Sequence, residues 1–189
     1  MLETIRPELD EMSFREYLMA DEMTMSYNAK WGAQYHFPEK SGRIGMLTYC
    51  NNLSVKDYCD LRTSVGWPFI SDDQAQSGLD NSDFIISCVD EGKTVGCARI
   101  FWDKGYIAYL ADVIVNPEYQ GQGIGKKMVQ ECIKYIDSQL KDGWRIKIVI
   151  VASKGKETFY EKLGFKVRPN DNNGPGMDMW RERYECQSR

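Results

Sequence analysis

From residue 84 onward, apolar and polar positions fall into short blocks that change period once. Phe84 to Asp90 and Thr94 to Trp102 are apolar-rich and flank Glu91-Gly92-Lys93. They predict a β-hairpin whose turn takes its positive φ from Gly92. Tyr106 to Val115, reached through Lys104-Gly105, predicts the next strand. The period then shifts, with Ile124, Met128, Val129, Cys132, Ile133, Ile136 and Leu140 at helical spacing and Lys126, Lys127, Gln130, Glu131 and Lys134 on the other side. This is an amphipathic helix with its apolar stripe in the core. Upstream, Leu47 to Cys50 predicts a strand, and Ser54 is a good N-cap for a helix over Val55 to Ser64. Gly66-Trp67-Pro68-Phe69 stops that helix, and Ser71 to Ser77 predicts a second, shorter one. Downstream, Lys147 to Val151 is a β-branched run, and Glu157 to Gly164 reads as a short helix ended by its glycine. Phe165 to Arg168 and Met177 to Glu182 are expected to be two antiparallel closing strands.

Alternating strands and helices place the chain in the α/β (α+β) class. Residues 1 to 44 are irregular by comparison and are expected to form an N-terminal arm. In it, Ser13 to Ala20, extending toward Met25, has helical character, and Trp31, Tyr35 and Phe37 make it aromatic-rich. The expected organisation is an arm over 1 to 44, one domain over 45 to 184 and a short tail over 185 to 189. The 189 residues, 42% of them apolar, are ample for one core and too few for a second catalytic domain.

Composition removes several functions. A net charge of −4, from 24 basic and 28 acidic residues, argues against a nucleic-acid binder, whose affinity comes largely from neutralising phosphates. His36 is the single histidine, which excludes a histidine-rich metal site and leaves no good Ser-His-Asp or Cys-His arrangement. Six cysteines, at positions 50, 59, 88, 97, 132 and 186, form no Cys-x-x-Cys pair and are expected to be reduced. No apolar run approaches the roughly 20 residues of a membrane span, so a cytoplasmic protein with no membrane partner is expected.

The chemistry concentrates at residues 110 to 128, where a strand passes through a glycine-rich turn into a helix. Gly121, Gly123 and Gly125 leave no Cβ between an anion and the backbone, and the helix start offers unpaired N–H groups and a positive dipole end. These features describe a pyrophosphate cradle. A P-loop would need a glycine where Gln120 stands and a Ser or Thr where Lys127 follows Lys126. The dinucleotide fingerprint would need a glycine at Lys126. What fits is Gln-x-x-Gly-x-Gly, as Gln120, Gly123 and Gly125.

That hexapeptide, preceded by Asp112-Val-Ile-Val-Asn-Pro-Glu, resembles the coenzyme A loop of the GNAT acyltransferases. Phe159-Tyr160-Glu161-Lys162-Leu163-Gly164-Phe165 resembles the second signature of that family, in the right order and at about the right distance. Together with Val55 to Trp67 and Phe84 to Trp102, the resemblance covers residues 45 to 184. It implies a GNAT fold, with a mixed central sheet flanked by helices, and an N-acetyltransferase that uses acetyl-CoA.

The resemblance also implies roles. Val113, Ile114 and Val115 would bond the pantetheine arm, with one N–H meeting the oxyanion. Gln120, Gly121, Gln122, Gly123, Ile124, Gly125 and Lys126 would hold the pyrophosphate. Tyr160 occupies the general-acid position, since a phenol with an ordinary pKa near 10 can protonate a departing thiolate; a core tyrosine is the plainer alternative. Asp112 is either the general base or a strand-end residue that orients backbone, with Tyr109 and Glu118 as weaker base candidates. An asparagine common in the family is replaced by Ala152-Ser153-Lys154-Gly155-Lys156, where Ser153 would take over its bonds and Lys154 or Lys156 would reach a CoA phosphate. Phe159 is expected against the cofactor, and Trp67, Phe69 and Tyr109 against the acceptor. The expected acceptor is a small-molecule primary amine, with a protein amine as the alternative and a non-catalytic CoA sensor as the rival. A homodimer is expected.

Overall fold

The computed structural model describes the backbone of Thr24–Asn28 and Gly32–His36, together with residues 47–177 and residue 179. The helix expected over Ser13 to Ala20 lies outside these residues. Its extension to Met25 is corrected, because Thr24–Asn28 is a strand, β1. Thr24 and Met25 pair with His36 and Tyr35 of β2 (Gly32–His36), so cross-strand bonding overrides the local helical pattern.

Among the described residues, seven strands lie in sheet order identical to their chain order: β1, β2, β3 (Thr48–Cys50), β4 (Phe84–Asp90), β5 (Lys93–Trp102), β6 (Ile107–Val115) and β7 (Lys147–Val149). Each neighbouring pair from β1 to β6 is antiparallel. Between β3 and β4 lie helices α1 (Val55–Ser64) and α2 (Asp72–Asp80). Ser54 accepts from the Asp57 N–H and Ser71 from the Gln74 N–H, so both helices start where a hydroxyl satisfies a free backbone donor. The hairpin turn carries positive φ at both Glu91 and Gly92, the form that matches the twist of its strands.

Strand alternation sends side chains to two covers. Ile85, Cys97 and Ile114 pack with Tyr58 and Leu61 of α1 and Ala75 and Leu79 of α2. Against the other face lies α3 (Ile124–Gln139), burying Ile124, Met128, Val129, Cys132 and Ile136. Phe84 stacks on its Tyr135 at 4.6 Å. Gly96 faces this helix closely: a Cβ there would stand 3.1 Å from Met128 Cε, 3.3 Å from an Ile124 methyl and 3.0 Å from the Ile114 carbonyl.

The chain divides into two units, residues 1–148 and 149–189. In the second, α4 (Glu157–Glu161) closes with Gly164 at φ 91°. There the Phe165 N–H bonds Tyr160 O and the Gly164 N–H bonds Glu161 O, the paired pattern of a glycine C-cap. The strand expected over Phe165 to Arg168 is not formed: the Phe165 N–H is committed to closing α4, and an isolated Asn170–Asn173 bridge follows. Most of the second expected strand, Met177 to Glu182, lies outside the described residues. No described helix is long and apolar enough to cross a membrane.

Candidate active site

Strand β6 is interrupted at one residue. Gly96 pairs with Val115 and Cys97 with Ile114, but Arg99 pairs with Ala111, so Asp112 and Val113 together oppose Ala98. This is a β-bulge, and Asp112 at its centre has φ +50°, left-handed for a non-glycine residue. Beyond the bulge come Val113, Ile114 and Val115, whose β5-side partners are Cys97 and Gly96. On the other side, β7 meets β6 near its beginning, where the Lys147 N–H bonds Tyr106 O at 2.8 Å. Val113 lies roughly 23 Å further along at about 3.3 Å per residue, beyond the reach of a three-residue strand. The end of β6 is therefore an edge that β7 leaves uncovered.

The chain leaves β6 through a 3-10 turn at Pro117–Tyr119, capped by Asn116 Oδ1 on the Glu118 N–H. Gln120 folds back so that its Nε2 donates to Val115 O at 3.0 Å, which fixes the turn and occupies that carbonyl. Gly121 and Gly123 have φ +80° and +83°, with open space where a Cβ would point. Gly123 is the N-cap of α3 and offers no side chain, and the first helical bond runs from the Lys127 N–H to Gly123 O. The N–H groups of Ile124, Gly125 and Lys126 are thus left unused by the helix. Lys126 is exposed beside them, while Lys127 is tied to Glu131 at 3.1 Å.

Asp112 is held from the opposite cover. Its Oδ2 accepts from Arg99 Nε at 2.7 Å, from a terminal Arg99 nitrogen and from the Tyr58 hydroxyl at 2.6 Å. Burial, reinforced by the neighbouring carboxylate, pushes the Tyr58 phenol up to about 12, so it stays protonated and donates. Arg99 also donates to Ser82 Oγ at 3.1 Å and lies between the rings of Tyr58 and Phe101. Arg99 is not among the site residues expected from the sequence. Its signal was available, since a lone arginine inside the apolar run Val95 to Trp102 must find an anion once buried.

Of the expected acceptor contacts, Phe69 is 90% exposed. Trp67 is half-buried beneath Arg62, whose guanidinium lies 5.3 Å from its ring. Tyr109 is exposed on β6, three residues before the bulge. Ser153, Lys154, Lys156, Phe159 and Tyr160 belong to the second unit. There Ser153 O accepts from the Lys156 N–H at 3.0 Å, both lysines are exposed, and Tyr160 is buried edge-on to Phe159 and Phe165. Among the described residues no group of His, Cys, Asp and Glu could hold a metal.

The family model for the acetyltransferase (GNAT) domain matches residues 81–167. The chain is 32% identical, over 68% of its length and 74% of the relative's, to the uncharacterised N-acetyltransferase ycf52 of Pyropia yezoensis. The chain belongs to the GNAT family. GNAT proteins draw their acyl group from acetyl-CoA, and this chain is an acyl-CoA-dependent acetyltransferase of that family. It is also similar to the histone acetyltransferase TAP1 of Glycine max, at 28% identity over 72% of this chain and 63% of that one. Among solved structures, a probable acetyltransferase from Staphylococcus aureus superposes with a TM-score of 0.63 and 25% identity, covering 71% of this chain and 100% of that one.

The residues present fit the cofactor: two glycines with room for an anion, three unused amides and an exposed lysine converge on one turn. Gly123→Val would put a β-branched side chain into that room at a left-handed position. It is expected to weaken acetyl-CoA binding at least about 30-fold, through loss of about 2 kcal/mol of charge-assisted bonding. The melting temperature should fall only a few degrees, since the strain costs about 1–2 kcal/mol. Calorimetry and a melt check the two.

Proposed function

We propose that the chain transfers the acetyl group of acetyl-CoA to the primary amine of a small molecule. The observation that carries this reading is the continuous run of bulge, uncovered β6 end and glycine cradle within one unit. It offers a ladder of backbone groups that leads directly into an anion site. When bound, acetyl-CoA supplies the acetyl group as a thioester. Val113 to Val115 would orient the pantetheine arm through the backbone, a backbone N–H at the bulge would meet the carbonyl oxygen, and residues 120 to 126 would fix the phosphates. Tyr160 delivers the proton that the leaving sulfur needs. On the acceptor side, α1 and α2 carry Asp57, Asp60, Asp72, Asp73 and Asp80 against Lys56 and Arg62, a charge balance that suits an ammonium-bearing acceptor. A protein amine is the second reading, favoured by the similarity to a histone acetyltransferase.

The test is calorimetric titration with acetyl-CoA, with desulfo-CoA and ATP as comparisons, followed by thiol-release screens on small amines and on lysine peptides. CoA-selective binding and release with small amines are expected. Equal binding of ATP would remove the donor assignment, and release with peptides alone would replace the small-molecule reading with the second one.

A further inference from the structure

We propose that Tyr58, Arg99 and Cys97 form a clamp on Asp112 that holds the β6 bulge open for the acetyl donor, which makes Asp112 a positioning residue. This rests on the donor site proposed above. An aspartate at φ +50° sits in the left-handed region that favours glycine, so something must hold it there. Four groups grip this one residue from two directions. Arg99 Nε, a terminal Arg99 nitrogen and the Tyr58 hydroxyl converge on carboxylate oxygen Oδ2. The Cys97 thiol, kept protonated by burial, reaches the Asp112 carbonyl at 3.5 Å.

The grips themselves are braced. Arg99 is 6% exposed, and a Cβ on Gly78 of α2 would stand 3.2 Å from its guanidinium. Tyr58 is 2% exposed and accepts from Arg99 at 3.0 Å. α1 is thus linked through one hydroxyl to the single residue at which β6 changes direction. If the bulge relaxed to regular strand, every residue from Val113 to Val115 would shift register by one. The groups offered to pantetheine would then turn to the opposite side. Asp112 Oδ1 accepts no bond among the described residues, and a base would have to act through that atom, so the two roles are separable.

Acetyl-CoA affinity separates them without an acceptor. Glycine tolerates positive φ and alanine does not, so Asp112→Gly is expected to bind acetyl-CoA within about threefold of the parent, and Asp112→Ala about tenfold or more weaker. Tyr58→Phe, which keeps its ring packing, is expected to lose about threefold. A carboxylate acting only as base touches the acceptor, so its removal would leave donor affinity unchanged in all three. Equal affinities of parent, glycine, alanine and phenylalanine variants, measured on folded protein, would overturn the clamp. Failure of the donor site shows differently: Gly123→Val would then bind acetyl-CoA as well as the parent.

Discussion

Replacing Arg99 with methionine is expected to lower the unfolding free energy by about 3–5 kcal/mol. The side chains of Arg99 and Asp112 are 8% and 14% exposed, so neither ion can recover its hydration when the other is removed. Methionine matches the length of the arginine stem and leaves the packing against Tyr58 and Phe101 largely filled, so the loss is electrostatic rather than a cavity effect. At about 2–4 °C per kcal/mol for a chain of this size, the melting temperature should drop by roughly 10 °C. Adding Asp112→Asn removes the stranded charge, and asparagine tolerates left-handed backbone at least as well as aspartate. The double variant is therefore expected to regain at least about 2 kcal/mol of the loss. Urea unfolding of both proteins measures this. A double variant no more stable than Arg99→Met would show that the cost lies in packing and not in the unpaired anion.

Tyr160→Phe is expected to reduce turnover by about 100-fold or more, within the range ascribed to a positioned acid. Acetyl-CoA affinity should stay within about twofold. Phenylalanine preserves the edge-on contacts with Phe159 at 4.8 Å and Phe165 at 5.8 Å, so the ring packing should be kept. Steady-state kinetics on the best amine from the thiol-release screen, paired with calorimetry and a melt, separate the outcomes. Unchanged turnover would assign the ring to packing alone. A fall in melting temperature with unchanged turnover per folded molecule would assign the hydroxyl to structure.

What the sequence made legible was local. The helix over Val55 to Ser64 begins and ends as its pattern predicts, because the Ser54 hydroxyl and Gly66 are short-range signals. The cradle was legible for the same reason: its glycines, its strand and its helix are contiguous. Ser71 starts its helix as predicted, but the helix runs on to Asp80, since Leu79 finds a buried place that no local rule anticipates. The bulge at Asp112 was not visible, since no glycine marks it. Its cause is a pair of side chains 13 and 54 positions away in sequence. Phe165 to Arg168 misled for a related reason. An alternation of apolar and basic residues cannot show that the first N–H of the run is already spent on closing a helix.

Gly96 places a limit on how this enzyme can change. The Ile114 carbonyl and the side chains of Ile124 and Met128 all crowd its missing side chain, so the strand and the first turn of α3 touch with nothing between them. That single hydrogen acts as a gauge block between the backbone that would grip the pantetheine arm and the amides that would grip the phosphates. A larger residue would have to displace the Ile114 carbonyl, an Ile124 methyl or Met128 Cε, and so would disturb the span that the donor molecule must bridge. The loop between α1 and α2 carries no such constraint at Phe69, which faces solvent. Variation can therefore accumulate in that loop and give the fold new acceptors while the donor side keeps a fixed length.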